Sequence, residues 1–223
     1  GVAGVASVAA RARRLDARSE IIMFERGHHV SFSNCALPYY LSGTVKDSNA
    51  LVMMSPEKFR KQYDMEARTD SEVLSVDREK KTIRVRNGCT GDVYEEHYDI
   101  LVLSPGANPI RPKSIEGVDR SNVFTVRNVT DIVNLKKFVT DCQIQDVAVV
   151  GGGFIGIEVA ENLSMDGRHV SVIEAQDQIM APFDYDMVQM LQKELLDHGV
   201  DVIVNDGVSA IGEESITLAS GKE

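Results

Sequence analysis

Short apolar runs alternate with amphipathic stretches along this chain, and twice they fall in the strand, glycine turn, helix, strand order of a parallel βαβ unit. The second occurrence is complete: residues 147–150 predict a strand, 157–163 open a helix, and 169–173 predict a second strand ending at Glu174. The first begins inside its turn. Residues 1–15 read as a glycine-rich turn entering a helix, followed by the apolar strand 21–24 ending at Glu25. Because the strand before such a turn positions it, residues are expected to precede Gly1.

Between the two units the pattern is more broken. Asn34 as an N-cap, Pro38 within the first turn and Gly43 at the end predict a short helix opened by Cys35. Ser55, Pro56 and Glu57 predict the start of another, with Phe59 and Tyr63 on its apolar side. Residues 68–96 predict a β-meander: Val73, Leu74 and Val76, then Ile83 and Val85, then Val93 and Tyr94, separated by turn-rich segments. The continuous apolar run 100–103 predicts a buried parallel strand ending in Ser104, Pro105, Gly106 and Ala107. Pro109, Pro112 and Gly117 mark a linker. A helix over 184–198, a strand over 200–204 and an incomplete hairpin over 211–218 end the chain, which is expected to be truncated at both ends. The fold class is α/β, with two Rossmann-like dinucleotide-binding domains and an inserted antiparallel β-meander. The expected boundaries are 1–110 for the first domain, 111–122 for the linker and 123–223 for the second.

Composition narrows the class. With 43% hydrophobic and 26% charged residues among 223, the chain is an ordinary globular sequence rather than a disordered one. A net charge of -10 argues against a broad nucleic-acid or anionic-membrane surface. The small apolar opening is too short to span a bilayer, and its arginines follow it, the reverse of a signal peptide. Cys35, Cys89 and Cys142 are odd in number and far apart, which suits a reducing cytoplasm better than a disulfide framework or a zinc site. The five histidines are scattered without metal-ligand spacing, so no metal is expected.

Candidate chemistry falls at four places. Gly151, Gly153 and Gly156 satisfy G-x-G-x-x-G between a strand and a helix, and Glu174, 23 positions after Gly151, stands where an acid accepts the ribose hydroxyls. A carboxylate there favours a free 2'-hydroxyl over a 2'-phosphate, hence NADH over NADPH. In the first unit Gly1, Ala3 and Gly4 would let backbone approach a pyrophosphate, with Glu25 on a ribose diol; an Ala/Gly-rich helix packed on a sheet reads the same residues equally well. Arg11, Arg14 and Arg18, spaced three and four apart with Arg13 beside them, form either a polyphosphate site or a solvated basic face. Cys35 at a helix N-terminus is placed to be a reactive thiolate, although a small buried hydrophobe is the other reading of a lone cysteine.

Two nucleotide units, the meander, the stretch from Ser31 through Asn34, Cys35 and Pro38 to Tyr39, and the segment from Leu103 to Ala107 together resemble the flavin-dependent pyridine nucleotide-disulfide oxidoreductases, in their single-cysteine branch. The resemblance implies FAD near Gly1, Ala3, Gly4, Glu25, Arg26, Val73, Ser104 and Gly106. It implies NADH or NADPH at Gly151, Gly153, Phe154, Ile155, Gly156, Glu158 and Glu174, and coenzyme A at Ser7, Arg11, Arg14, Ser31 and Asn34. A family lysine falls at Tyr63, which shifts that contact to Lys58 or Lys61 or removes it. Cys35 would alternate between thiolate and a mixed disulfide or sulfenate, because the nearest other cysteine, Cys89, is too distant to form a redox disulfide with it. The peroxidases of the branch carry a histidine where this chain has Ala3. The implied activity is NAD(P)H-dependent reduction of coenzyme A disulfide or a CoA persulfide or polysulfide. An NADH oxidase or peroxidase, and a non-catalytic flavin redox sensor or electron-transfer protein, are the alternatives. The implied partners are a small disulfide or persulfide and, in the full-length protein, a second copy; the family's second FAD-binding segment and dimerisation domain are absent from these residues, so the fragment is expected to hold FAD weakly.

Overall fold

A computed structural model describes residues 3–223. In chain order the elements are α1 (Gly4–Leu15), β1 (Ile22–Phe24), β2 (Ser31–Phe32), a 3-10 turn (Asn34–Ala36) leading into α2 (Leu37–Leu41), β3 (Val52–Met54), α3 (Pro56–Tyr63), β4 (Glu66–Arg68), β5 (Ser71–Asp77), β6 (Thr82–Asn87) and β7 (Val93–His97). They continue with α4 (Val129–Asp141), β8 (Asp146–Val150), α5 (Phe154–Met165), β9 (His169–Ile173), α6 (Tyr185–Asp197), β10 (Val200–Ile203), β11 (Val208–Ile211) and β12 (Ile216–Leu218). The chain divides into two compact units, one formed by residues up to Ser33 together with 51–107, the other by 34–50 together with 108–223.

In the first unit β1 pairs in parallel with β4, in register from Ile22 opposite Glu66 to Phe24 opposite Arg68. Ala9 of α1, Met23 of β1, Phe59 of α3, Val30 and Met65 form its buried cluster. Helix α3 follows its expected start: the Ser55 hydroxyl accepts from the Lys58 N–H, Pro56 is the first helical residue, and Glu57 lies in the first turn. Its other end is held by Arg13 of α1, whose guanidinium donates to the carbonyls of Tyr63 at 2.9 Å and Asp64 at 2.6 Å. Arg13 is thereby a C-terminal cap of α3 rather than part of a free basic face. The meander forms as β5, β6 and β7, all antiparallel. Arg68 of β4 ties its strand to β7 through Glu96 (2.5 Å) and also bonds Glu66 of its own strand (2.7 Å). Those bonds, with Glu66 foremost, push the guanidinium pKa up against the opposing effect of burial.

The expected strand over 100–103 does not form. Its residues carry no ladder, and Ile100 and Leu103 are 86% and 71% exposed. A strand exists through its hydrogen-bonded neighbour, and an apolar run without one remains irregular however strand-like its composition.

In the second unit β9 is the middle strand, paired in parallel with β8 and β10, so that Val147, Val170 and Val200 lie side by side. Ile157, Val159, Ala160 and Leu163 of α5 are buried, and α5 covers β9. The hairpin β11–β12 is tied to residue Glu116 of the expected linker by a parallel bridge at Ala210. Helix α4 was not signalled by apolar periodicity alone. It opens with a capping box in which the Asn128 side chain accepts from the Asp131 N–H and the Asp131 carboxylate accepts from the Asn128 N–H.

Candidate functional site

The glycine turn of the second unit joins β8 to α5. Gly151 takes φ +108°, and its N–H donates to the Ile173 carbonyl at 2.8 Å. The next amide, on Gly152, donates to the Glu174 carboxylate at 2.8 Å, and the second carboxylate oxygen accepts from the Gln176 N–H at 2.9 Å. The acid at the end of β9 is thus held at the mouth of the turn. Gly152 is packed from below by Ile179: a Cβ there would stand 2.6 Å from the isoleucine Cγ2. Gly153 is the opposite case, since a Cβ on it would meet nothing within 4 Å. The turn therefore leaves open space in front of the N-terminus of a twelve-residue helix, with its unpaired N–H groups and positive dipole end, which suits a pyrophosphate. Phe154 and Ile155 at the start of α5 are more than half exposed, Phe154 stacking edge-on against Phe183 at 5.8 Å, while Glu158 lies half-buried one turn later. The loop after Glu174 is tied back by the Met180 N–H, which donates to the Gly152 carbonyl at 2.8 Å.

In the first unit Gly1 lies outside the described residues. Ala3 precedes α1, and Gly4 opens it against Ser104, whose Oγ would be 2.9 Å from a Cβ on Gly4. The structure therefore brings Gly4 and Ser104 together. Glu25 follows β1 and accepts at Oε1 from the Gly27 N–H at 2.9 Å, an arrangement parallel to that of Glu174. Arg26 is exposed beside it. Val73 lies on β5, 38% exposed, and Gly106 adopts φ +71° in the irregular segment that follows Ser104.

Helix α1 carries an open groove of about 370 Å³ lined by Ser7, Val8, Arg11, Ala12 and Leu15. Arg11 and Arg14 are exposed on this helix. Arg18 is exposed too but does not belong to this helix, because α1 ends at Leu15 and Asp16 is extended; the Asp16 carboxylate accepts from the Arg18 N–H at 2.8 Å. Asp16 is a residue that bonds local backbone in preference to continuing a helix, and the three-and-four spacing of arginines does not register that break. Ser31 is buried on β2.

Cys35 is exposed in the middle of the 3-10 turn, one residue after the exposed Asn34. Asn34 does not cap α2: the capping position is Ala36, with no side-chain bond. Burial of Leu37, Pro38 and Leu41 draws the helix start inward, so the preceding residues tighten into a 3-10 turn. Gly43, at φ +76°, follows the end of α2, and its N–H reaches the Tyr40 carbonyl at 3.4 Å. Helix α2, which continues from the 3-10 turn, packs with α4 and α5 within the second unit. Two side chains fix the far end of this segment. The Lys136 ammonium of α4 donates to the carbonyls of Tyr40 (2.7 Å) and Leu41 (3.3 Å) and lies 4.9 Å from the centre of the Tyr40 ring. The Ser42 hydroxyl donates to Oδ1 of the fully buried Asn162 on α5 at 2.7 Å, and the Asn162 amide in turn donates to the Glu158 carbonyl.

The strand, glycine turn, helix and acid-ended strand of the second unit form a dinucleotide-binding fold of the α/β class. All 223 residues match the pyridine nucleotide-disulphide oxidoreductase family, and the chain belongs to it. It is 38% identical over 221 residues to the coenzyme A disulfide reductase of Staphylococcus aureus (strain NCTC 8325 / PS 47), an alignment covering 99% of this chain and 50% of that protein. Among solved structures it is similar to reduced Bacillus anthracis CoADR-RHD, with a TM-score of 0.96, 42% identity and coverage of 100% of this chain and 40% of the other. It also resembles an NAD-dependent persulfide reductase from A. fulgidus, with a TM-score of 0.90, 29% identity and coverage of 98% and 42%. The chain spans about half the length of the curated relatives it matches.

Proposed function

We propose that the protein to which this chain belongs is an FAD-dependent NAD(P)H oxidoreductase that reduces coenzyme A disulfide, or a CoA persulfide, through Cys35. The observation that carries this reading is the exposed Cys35 sulfur on a segment of its own, in a chain whose matched relatives are named for disulfide and persulfide reduction. Gly151, Gly153 and Gly156 with Glu174 would hold the nicotinamide nucleotide, and Ala3, Gly4, Glu25 and Ser104 the flavin nucleotide. FAD, when bound, supplies a two-electron relay between the dihydronicotinamide and the disulfide.

The Cys35 thiolate attacks one sulfur of the substrate disulfide, forming a Cys35–S–S–R mixed disulfide and expelling the other half as thiolate, RS⁻. Two electrons originating in NAD(P)H, with one proton, then return the mixed disulfide to Cys35 thiolate and RSH. For coenzyme A disulfide the sum is two molecules of coenzyme A and one NAD(P)⁺ per NAD(P)H. Arg11 and Arg14, exposed beside the groove on α1 with Ser7, supply positive charge and hydrogen bonds suited to a phosphate-rich substrate. No helix among the described residues is long and apolar enough to cross a membrane. The three unpaired, widely spaced cysteines support a cytoplasmic location for the full protein, and the family resemblance a homodimer.

The test is Cys35→Ser in the full-length flavoprotein. The variant is expected to pass electrons from NADH to ferricyanide at about the wild-type rate while losing disulfide reduction by roughly a thousandfold or more. Disulfide turnover that survives the substitution would refute the reading.

A further inference from the structure

Lys136 and Asn162 have no place in the chemistry above, yet each hydrogen-bonds the end of the segment that bears Cys35. We propose that they are positioning residues for the Cys35 sulfur, a two-point clamp that sets the thiol by holding the opposite end of its helical segment. The inference rests on Cys35 being the redox-active sulfur.

Residues 34–41 run continuously from the 3-10 turn into α2, so Cys35 stands at one end of a short rod and Tyr40 and Leu41 at the other. A five-residue helix holds its own shape poorly, and its last carbonyls have no partner within it. Beside the Gly43 N–H at the Tyr40 carbonyl, Lys136 adds a charged donor from another helix, bonding two successive carbonyls and lying against the Tyr40 ring. Ser42, the next residue, is held by Asn162. That amide is fully buried, and its nitrogen is already committed to the Glu158 carbonyl, so its oxygen cannot turn to water for a replacement donor. The two anchors come from different helices, α4 and α5, and therefore fix both the tilt and the rotation of the rod. Helix α5 is the one that starts at the glycine turn, so the sulfur is referenced to the nucleotide-binding unit.

The experiment uses the full-length flavoprotein carrying Lys136→Met, Lys136→Arg or Asn162→Leu, with iodoacetamide as probe and the three cysteines resolved by peptide mass. In Lys136→Met and Asn162→Leu the alkylation rate of Cys35 is expected to change at least about threefold, and kcat for coenzyme A disulfide to fall about tenfold or more at a nearly unchanged KM, because displacement of a reacting atom costs rate rather than affinity. Ferricyanide reduction by NADH and alkylation of Cys89 stay at wild-type values. Alkylation of Cys142 also stays unchanged; that residue caps α4 and reports the integrity of the helix that carries Lys136. Lys136→Arg restores both properties. The proposal is overturned if Cys35 and disulfide turnover are unaffected, if Cys142 and ferricyanide reduction change along with them, or if arginine does not rescue. Failure of the functional reading is a separate result, visible as disulfide turnover in Cys35→Ser.

Discussion

The Glu174 carboxylate accepts the Gly152 amide hydrogen at 2.8 Å, joining the end of β9 to the turn that follows β8. The acid is thereby held facing the turn before any nucleotide arrives. Glu174→Ala is expected to weaken NADH binding by about tenfold or more, since hydrogen bonds to a charged group contribute roughly 1.5–3 kcal/mol. NADPH should lose less, because a repulsion with its 2'-phosphate disappears. Titration of both nucleotides by fluorescence reads the difference, and equal losses would count against the assignment.

Two neighbouring glycines make opposite predictions. At Gly152 an added methyl runs into Ile179, whose backbone Cα is itself only 3.2 Å away, so Gly152→Ala should destabilise the second unit by about 1–3 kcal/mol. At Gly153 the methyl enters open space; thermal unfolding should stay near wild type while NADH affinity drops. Calorimetry and nucleotide titration on the pair separate packing from binding.

The arginines of α1 also divide. Arg13→Met removes the cap on α3 and should cost about 1 kcal/mol of stability without altering the KM for coenzyme A disulfide. If Arg11 and Arg14 contact substrate phosphates as proposed, Arg11→Ala and Arg14→Ala should do the reverse, raising KM several-fold at constant stability. Urea midpoints and steady-state kinetics on the three variants check both halves.

Acid sensitivity has a definite sign in the first unit. The hydrogen bond from Arg68 is the main cause holding Glu66 below its ordinary value of 4.5, with burial opposing it. Since the folded value is depressed, the contribution is complete above 4.5 and is lost as pH falls through the lowered value. Glu66 is 48% exposed, so Glu66→Gln should cost only about 0.5 kcal/mol at neutral pH. Urea midpoints of wild type and variant are expected to converge in acid; a gap that persists or widens there would contradict the linkage.

The second nucleotide unit is legible in the sequence because everything that specifies it is local: a β-branched run, a turn needing glycine at Gly151, and an acid one strand later. The α3 start is legible for the same reason, with Ser55, Pro56 and Glu57 adjacent. What escapes is non-local. The run 100–103 has strand composition, but a ladder depends on a neighbour that composition does not reveal. Helix α4 mixes its buried Val129, Ile132, Leu135 and Val139 with half-buried Val133 and Phe138, blurring the apolar stripe; the Asn128 and Asp131 box was the signal that could have found it. Nothing near Cys35 announces Lys136 or Asn162, which stand far along the chain and meet it only after folding.

That distance sets an order of assembly. Tyr40 and Lys136 are 96 positions apart, and Ser42 and Asn162 are 120 apart. On a ribosome adding about 5–20 residues per second, the cysteine segment emerges roughly ten seconds before the last helix that will hold it. During that interval the first unit can close around its own core of Ala9, Met23 and Phe59, while the thiol remains on a tether without a seat. Nascent chains are therefore expected to carry a Cys35 that is not yet seated, and its position is set only when the second unit is complete.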